Sequence, residues 1–195
     1  MDGPEYHLIT SAFLGSENEC GDTGLIIRQG KKCFLALVDV LGHGQEARKV
    51  AVIAEDYLKR HYGEPLLIIM QGLHETLKGT RGCVAAIARL DVGTGELKLA
   101  GIGNITVRII GPQSTRFIME DGIVGYIMST PRKKTARLYP GDVLLFYSDG
   151  IKEFFDPAEI PGLLTYSTEE ITDLIIQHFG KNNDDTSCIA LKFRK

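Results

Sequence analysis

The sequence predicts an α+β fold with mainly antiparallel pairing. Strand-like apolar runs are numerous, the turns between most of them are short, and helical stripes are confined to the middle of the chain and a stretch near its C-terminus. Short connections favour antiparallel neighbours, because a parallel pair needs a crossover of about a dozen residues or more.

The first run, residues 6–14, has strand character, as do residues 24–28 and 33–40. Gln29-Gly30-Lys31 between the latter two is a hairpin signal. Residues 45–62 carry Ala47, Val50, Ala51, Ala54, Leu58 and His61 along one helical stripe. Residues 65–78 repeat that pattern with Leu66, Ile69, Met70, Leu73 and Leu77; Pro65 suits the first turn and Gly79 the end. Strands are then expected at 83–90, 96–101, 105–110 and 143–147. Gly93-Thr94-Gly95, Gly111-Pro112 and Pro140-Gly141-Asp142 supply turns among them. Ser167-Thr168-Glu169-Glu170 is a capping box that opens a late helix through Ile171, Leu174, Ile175 and His178, closed by Gly180. A last strand covers 186–193. No linker, repeat or low-complexity tract interrupts the chain, so residues 1–195 are expected to form one domain.

Composition narrows the function. A chain of 195 residues that is 44% hydrophobic and 24% charged can bury a proper core. Its net charge of −3 leaves no basic excess to neutralise phosphates, so no nucleic-acid partner is expected. The basic cluster Arg132-Lys133-Lys134 reads as a solvated loop or strand edge. The N-terminus lacks the basic and apolar regions of a signal peptide, and the apolar run at 66–70 is too short for a membrane span. The four cysteines form no CxxC pair, so buried free thiols and a cytoplasmic location are expected.

The chemistry lies in the acids. The strand read in FLALVDVLGHGQ (34–45) delivers Asp39 into Gly42-His43-Gly44. An unpaired carboxylate at the end of a core strand costs several kcal/mol to desolvate. Asp149 ends another apolar strand in VLLFYSDG, Asp184 and Asp185 precede the final strand, and Asp22 precedes an early one. A single Asp before Gly is ordinarily only a turn. Four at strand mouths carry more information, although periodicity alone does not bring them together; gathered in one cleft, like charges would need cations. Oxygen-only donors favour hard metals such as Mg²⁺ or Mn²⁺.

The ordered set Gly21-Asp22, DVLGHG (39–44), YSDG (147–150) and DDTS (184–187) resembles the metal-dependent PPM-type, or protein phosphatase 2C-like, serine/threonine phosphatases. It looks most like their bacterial SpoIIE-type branch, and the likeness spans residues 22–187. The resemblance implies a four-layer α-β-β-α sandwich, two antiparallel sheets flanked by helices. It also implies hydrolysis of phosphoserine or phosphothreonine by water activated by two Mn²⁺ or Mg²⁺ ions. Position by position, Asp39 resembles the acid that bridges the two metals, and Val40 would offer its backbone carbonyl. Asp149 and Asp184 resemble ligands of the other metal, with Asp185 beside them, and Asp22 the first-motif acid that reaches a metal through water. Asp39, Asp149 and Asp184 are thus the implied catalytic residues. Gly103-Asn104 resembles the family's turn after a central strand.

The match departs from the family pattern in places. DDTS replaces the commoner DDxT, no basic residue lies between residues 14 and 27, and Leu41 stands where a histidine follows the bridging acid in some members. His43 between two glycines reads as a turn-shaping residue, not a general acid. His7, His61, His74 and His178 show no partner spacing. The compact chain and the segment 77–90 resemble stand-alone phosphatases of the stressosome, which implies phosphorylated STAS-domain scaffold proteins as partners. A phosphatase of an anti-sigma-factor antagonist and a non-catalytic docking module are the alternatives. Residues 120–130 and the basic loop after them are the expected substrate-selecting elements.

Overall fold

The computed structural model describes residues 3–13 and 19–194. Ten strands form two five-stranded sheets, every ladder antiparallel. One sheet runs β2 (Asp22–Gln29), β3 (Lys32–Val40), β4 (Cys83–Asp91), β5 (Glu96–Ile102) and β8 (Lys134–Arg137). The other runs β1 (Glu5–Ser11), β10 (Thr186–Lys192), β9 (Val143–Tyr147), β6 (Thr106–Ile110) and β7 (Thr115–Phe117). Helices α1 (Gln45–His61) and α2 (Leu66–Thr76) cover the first sheet, and α3 (Thr168–Phe179) covers the second. The expected four-layer sandwich is therefore the observed one.

Strand alternation assigns each residue its layer, because successive side chains point to opposite faces. In β3, Phe34, Ala36, Val38 and Val40 pack toward α1 and α2, while Cys33, Leu35 and Leu37 enter the core between the sheets. In β9, Leu144 and Phe146 meet that same inter-sheet core, and Val143, Leu145 and Tyr147 pack toward α3. Each large side chain fully buried here stabilises by roughly 1.5–3 kcal/mol. The Ser167 capping box is present, its hydroxyl accepting from Glu170 N. All four cysteines are buried and free.

The expected strand at 6–14 ends earlier, at Ser11, and Leu14 lies outside the described residues. Two short edge strands, β7 and β8, are not among the expected strands, although the basic cluster at the start of β8 reads as a loop or strand edge. Arg132-Lys133-Lys134 leads into β8, whose Lys134 pairs with Glu120 at 3.1 Å.

Candidate active site

Alternation carries past the core to its end. Asp39 has the parity of Leu35 and Leu37, so it continues the inter-sheet face where the apolar layers stop. Antiparallel register sets Asp22 of β2 directly opposite it. Like charges so placed repel each other and destabilise the pair. Ser148 and Ser187 arrive from the other sheet, Ser148 Oγ accepting from Ser187 N at 2.9 Å.

Asp149 follows β9 and Asp184 precedes β10, so adjacency of those strands brings them together. The approach is close: a methyl at Gly150 would lie 2.1 Å from the Asp185 carbonyl oxygen. Asn104, after β5, donates from Nδ2 to Asp149 Oδ2 at 2.9 Å, and Lys181 Nζ donates to the Asp149 carbonyl at 2.6 Å. Asp185 is buried and turned away from the cleft. Its Oδ1 accepts from Phe13 N at 2.8 Å and its Oδ2 from Gly21 N at 2.6 Å, clamping the backbone just before Asp22. Val40 is buried and its N–H donates to the Gly21 carbonyl at 3.3 Å. Gly42, at φ 78°, lets the chain leave β3 toward α1.

These residues open onto a cleft of about 540 Å³ lined by Asp39, Asp149, Asp184, Asp121, Asn104 and His43 among others. None of its lining residues is Lys or Arg. Burial, then the carboxylates of Asp22, Asp149 and Asp184, pushes Asp39 up to about 9. Asp22, only 1% exposed, is pushed up to about 7, chiefly by burial and against the pull of the Ser148 and Ser187 hydroxyls. Burial also raises Asp184, with Asp149 and Asp185 adding to it, and His43 opposes the shift.

Among the described residues, no group of three His, Cys, Asp or Glu side chains is gathered as a ready-made metal cluster. The carboxylates instead stand around the cleft. Buried Asp22 Oδ2 has no hydrogen-bond partner among the described residues, which leaves an acceptor in search of a positive partner. Oxygen donors alone, net acidic and without a basic neighbour in the lining, suit a hard divalent cation.

Asp121 is a cleft residue that sequence reasoning missed as an acid of the site. It lies in a loop without period, and only the pairing of that loop places it. Glu120 N donates to Gly101 O at 3.3 Å, and Cys83 and Val124 exchange backbone hydrogen bonds at 3.0 and 2.8 Å. The expected substrate-selecting stretch thus forms part of the cleft wall. His74, read without a partner, anchors it: Gly125 N donates to His74 Nδ1 at 3.0 Å. His7 likewise bonds to Thr172 Oγ1 at 2.8 Å, and His61 to Glu64 at 2.8 Å. His43 is exposed at the rim in a T-shaped contact with Phe13, centroids 6.3 Å apart.

Comparison with known proteins adds an independent line. Residues 29–194 match the family described as Stage II sporulation protein E (SpoIIE). The phosphoserine phosphatase RsbX of Bacillus subtilis (strain 168) is 22% identical over 178 residues, which is 87% of this chain and 85% of that protein. A chain solved in work on the bacterial stressosome, a modular system adapted to control secondary messenger signaling, superposes with a TM-score of 0.90. It is 33% identical, and the match covers 98% of this chain and 100% of that one. RsbX in complex with magnesium has the same fold, with a TM-score of 0.82 at 18% identity, covering 98% of this chain and 96% of that one.

Proposed function

The chain belongs to the SpoIIE family of PP2C-type serine/threonine phosphatases, and from that premise we propose that it dephosphorylates STAS-domain proteins of a stressosome. The observation that carries the active-site reading is half-buried Asp39, register-opposed to buried Asp22 and sharing one cleft with Asp149 and Asp184. Maintaining two raised carboxylates in a native fold costs stability, which an inert docking module would have no reason to bear.

In this reading Asp39, the Val40 carbonyl, Asp149 and Asp184 would hold two Mn²⁺ or Mg²⁺ ions, with Asp22 behind them. When bound, such a pair neutralises phosphoryl oxygens and lowers the pKa of water. The chain's own residues do the positioning. β3 presents Asp39 from one sheet, and the β9 and β10 mouths present Asp149 and Asp184 from the other. Asn104 fixes the Asp149 carboxylate through Oδ2. Asp185 stays a clamp and carries no ligand role. No Lys or Arg lines the cleft, so charge compensation for the phosphate would fall to the bound cations. His43 shapes the rim beside Asp184 and is not assigned as general acid.

Residues 1–195 act as one catalytic domain in this account. No helix among the described residues is long and apolar enough to cross a membrane, and the proposed substrates place the enzyme in the cytoplasm. The test is phosphate release from a serine-phosphorylated STAS-domain protein with Mn²⁺, with Mg²⁺ and with EDTA. Metal-dependent release is expected. Release undiminished by EDTA would overturn the metal reading, and an enzyme that hydrolyses p-nitrophenyl phosphate but leaves the phosphoprotein intact would overturn the substrate.

A further inference from the structure

Beside the catalytic cleft lies a second groove of about 380 Å³ that shares Gly103, Asn104 and Asp121 with it. Its two rims are apolar and exposed. Ile118 is 80% exposed and Phe154 77%. Both have a buried neighbour that does the packing: Phe117 and Met119 enter the inter-sheet core, and Phe155 packs toward α3. Ile118 and Phe154 therefore contribute little to either core, and water-facing rings and branched aliphatics in one patch mark an interaction surface.

Phe154 is held in place. The Arg116 guanidinium lies over its ring, 4.2 Å from the centroid, and Arg116 also pairs with Glu153 at 2.6 Å. That ion pair neutralises the one basic side chain in the lining and leaves Asp121 as the uncompensated charge. The groove thus accepts apolar side chains and repels acidic ones.

We infer that this groove is a specificity-determining dock for the substrate segment flanking the phosphorylated serine, with an apolar side chain of that segment seated between Ile118 and Phe154. The inference rests on the phosphatase reading above. Continuity with the cleft supports it, since a chain entering the groove passes Gly103, Asn104 and Asp121 before reaching Asp149. The charge balance supports it as well. The cleft lining has no Lys or Arg with which to grip the flanking segment, and the apolar rim beside it supplies the contact area that the cleft lacks. Binding energy from groups remote from the reacting bond then orients the phosphoserine.

The test compares wild type with Ile118→Ser and Phe154→Ala, singly and together. A serine-phosphorylated STAS-domain protein is the large substrate, and p-nitrophenyl phosphate the one too small to reach the groove. The double variant is expected to raise KM for the phosphoprotein by about tenfold or more, while p-nitrophenyl phosphate kinetics stay within about twofold. The unchanged small-substrate rate also shows that the variants fold. Equal phosphoprotein kinetics in wild type and variants, with wild type active, would overturn the dock and leave the phosphatase reading standing. A variant that keeps its KM but changes from dimer to monomer would assign the groove to a second copy of the chain and overturn the inference. Wild type that hydrolyses p-nitrophenyl phosphate but not the phosphoprotein would overturn both the substrate reading and the dock.

Discussion

Asp39→Asn is expected to lower turnover of a phosphoserine substrate by on the order of 10²–10³, about 2.7–4 kcal/mol of barrier, and to raise the stability of the metal-free protein at neutral and alkaline pH. Both effects have one origin. Asp39 is pushed up to about 9 in the fold from 3.8 ordinarily, and Asp22 to about 7, because burial and neighbouring carboxylates oppose their charge. The folded chain therefore holds more protons than the unfolded chain between those values, and its stability falls as pH rises. This contribution is fully present below about pH 4 and is lost through about pH 7 and about pH 9. Asparagine has no charge to desolvate. In EDTA, the wild-type melting temperature should therefore fall from about pH 5 to about pH 9 more steeply than that of the variant. Thermal denaturation across that range checks it; parallel curves would mean that Asp39 carries no raised charge. Excess Mn²⁺ should flatten the wild-type curve, since a bound cation stabilises the ionised form.

Gly150→Ala is expected to damage the site without touching a carboxylate. A methyl there would meet the Asp185 carbonyl at 2.1 Å and Thr186 Oγ1 at 2.8 Å, and the nearer obstacle is backbone that cannot turn aside. The mouths of β9 and β10 must separate, which moves Asp149 away from Asp184. Overpacking of this kind costs about 1–3 kcal/mol, or roughly 2–12 °C in melting temperature for a chain of this size. Activity should fall with it even at temperatures where the variant remains folded. Gly63→Ala is the control, since a methyl there meets nothing within 4 Å and its φ is ordinary. A Gly150→Ala enzyme as stable and active as the control would mean that the close approach is not required.

Much of this architecture is legible in the chain because burial imposes period. β3, β4 and β9 are almost wholly apolar, and α1 and α2 show stripes that only a helix explains. β7 and β8 escape because edge strands need not be apolar. Thr115-Arg116-Phe117 and Lys134-Thr135-Ala136-Arg137 are short and charged, as edges that avoid further pairing tend to be. The acids Asp22, Asp39, Asp149 and Asp184 stand out in sequence because each interrupts or borders an apolar run. Their mutual arrangement does not, since the opposition of Asp22 and Asp39 is a matter of register set by the Gly30-Lys31 turn. Asp185 looks like a fifth acid of the site until its two backbone hydrogen bonds are seen. Asp121 and the His74 contact to Gly125 depend on long-range loop pairing, which leaves no local signature.

The most direct measurement of the central claim is calorimetric titration of Mn²⁺ and Mg²⁺ into the wild type and Asp39→Asn, both freed of metal. The account predicts two cations bound by the wild type, with proton release because Asp22 and Asp39 must ionise to receive them, and loss of at least one cation in the variant. Wild type that binds neither ion at millimolar concentration, or a variant that binds as the wild type does, would contradict it.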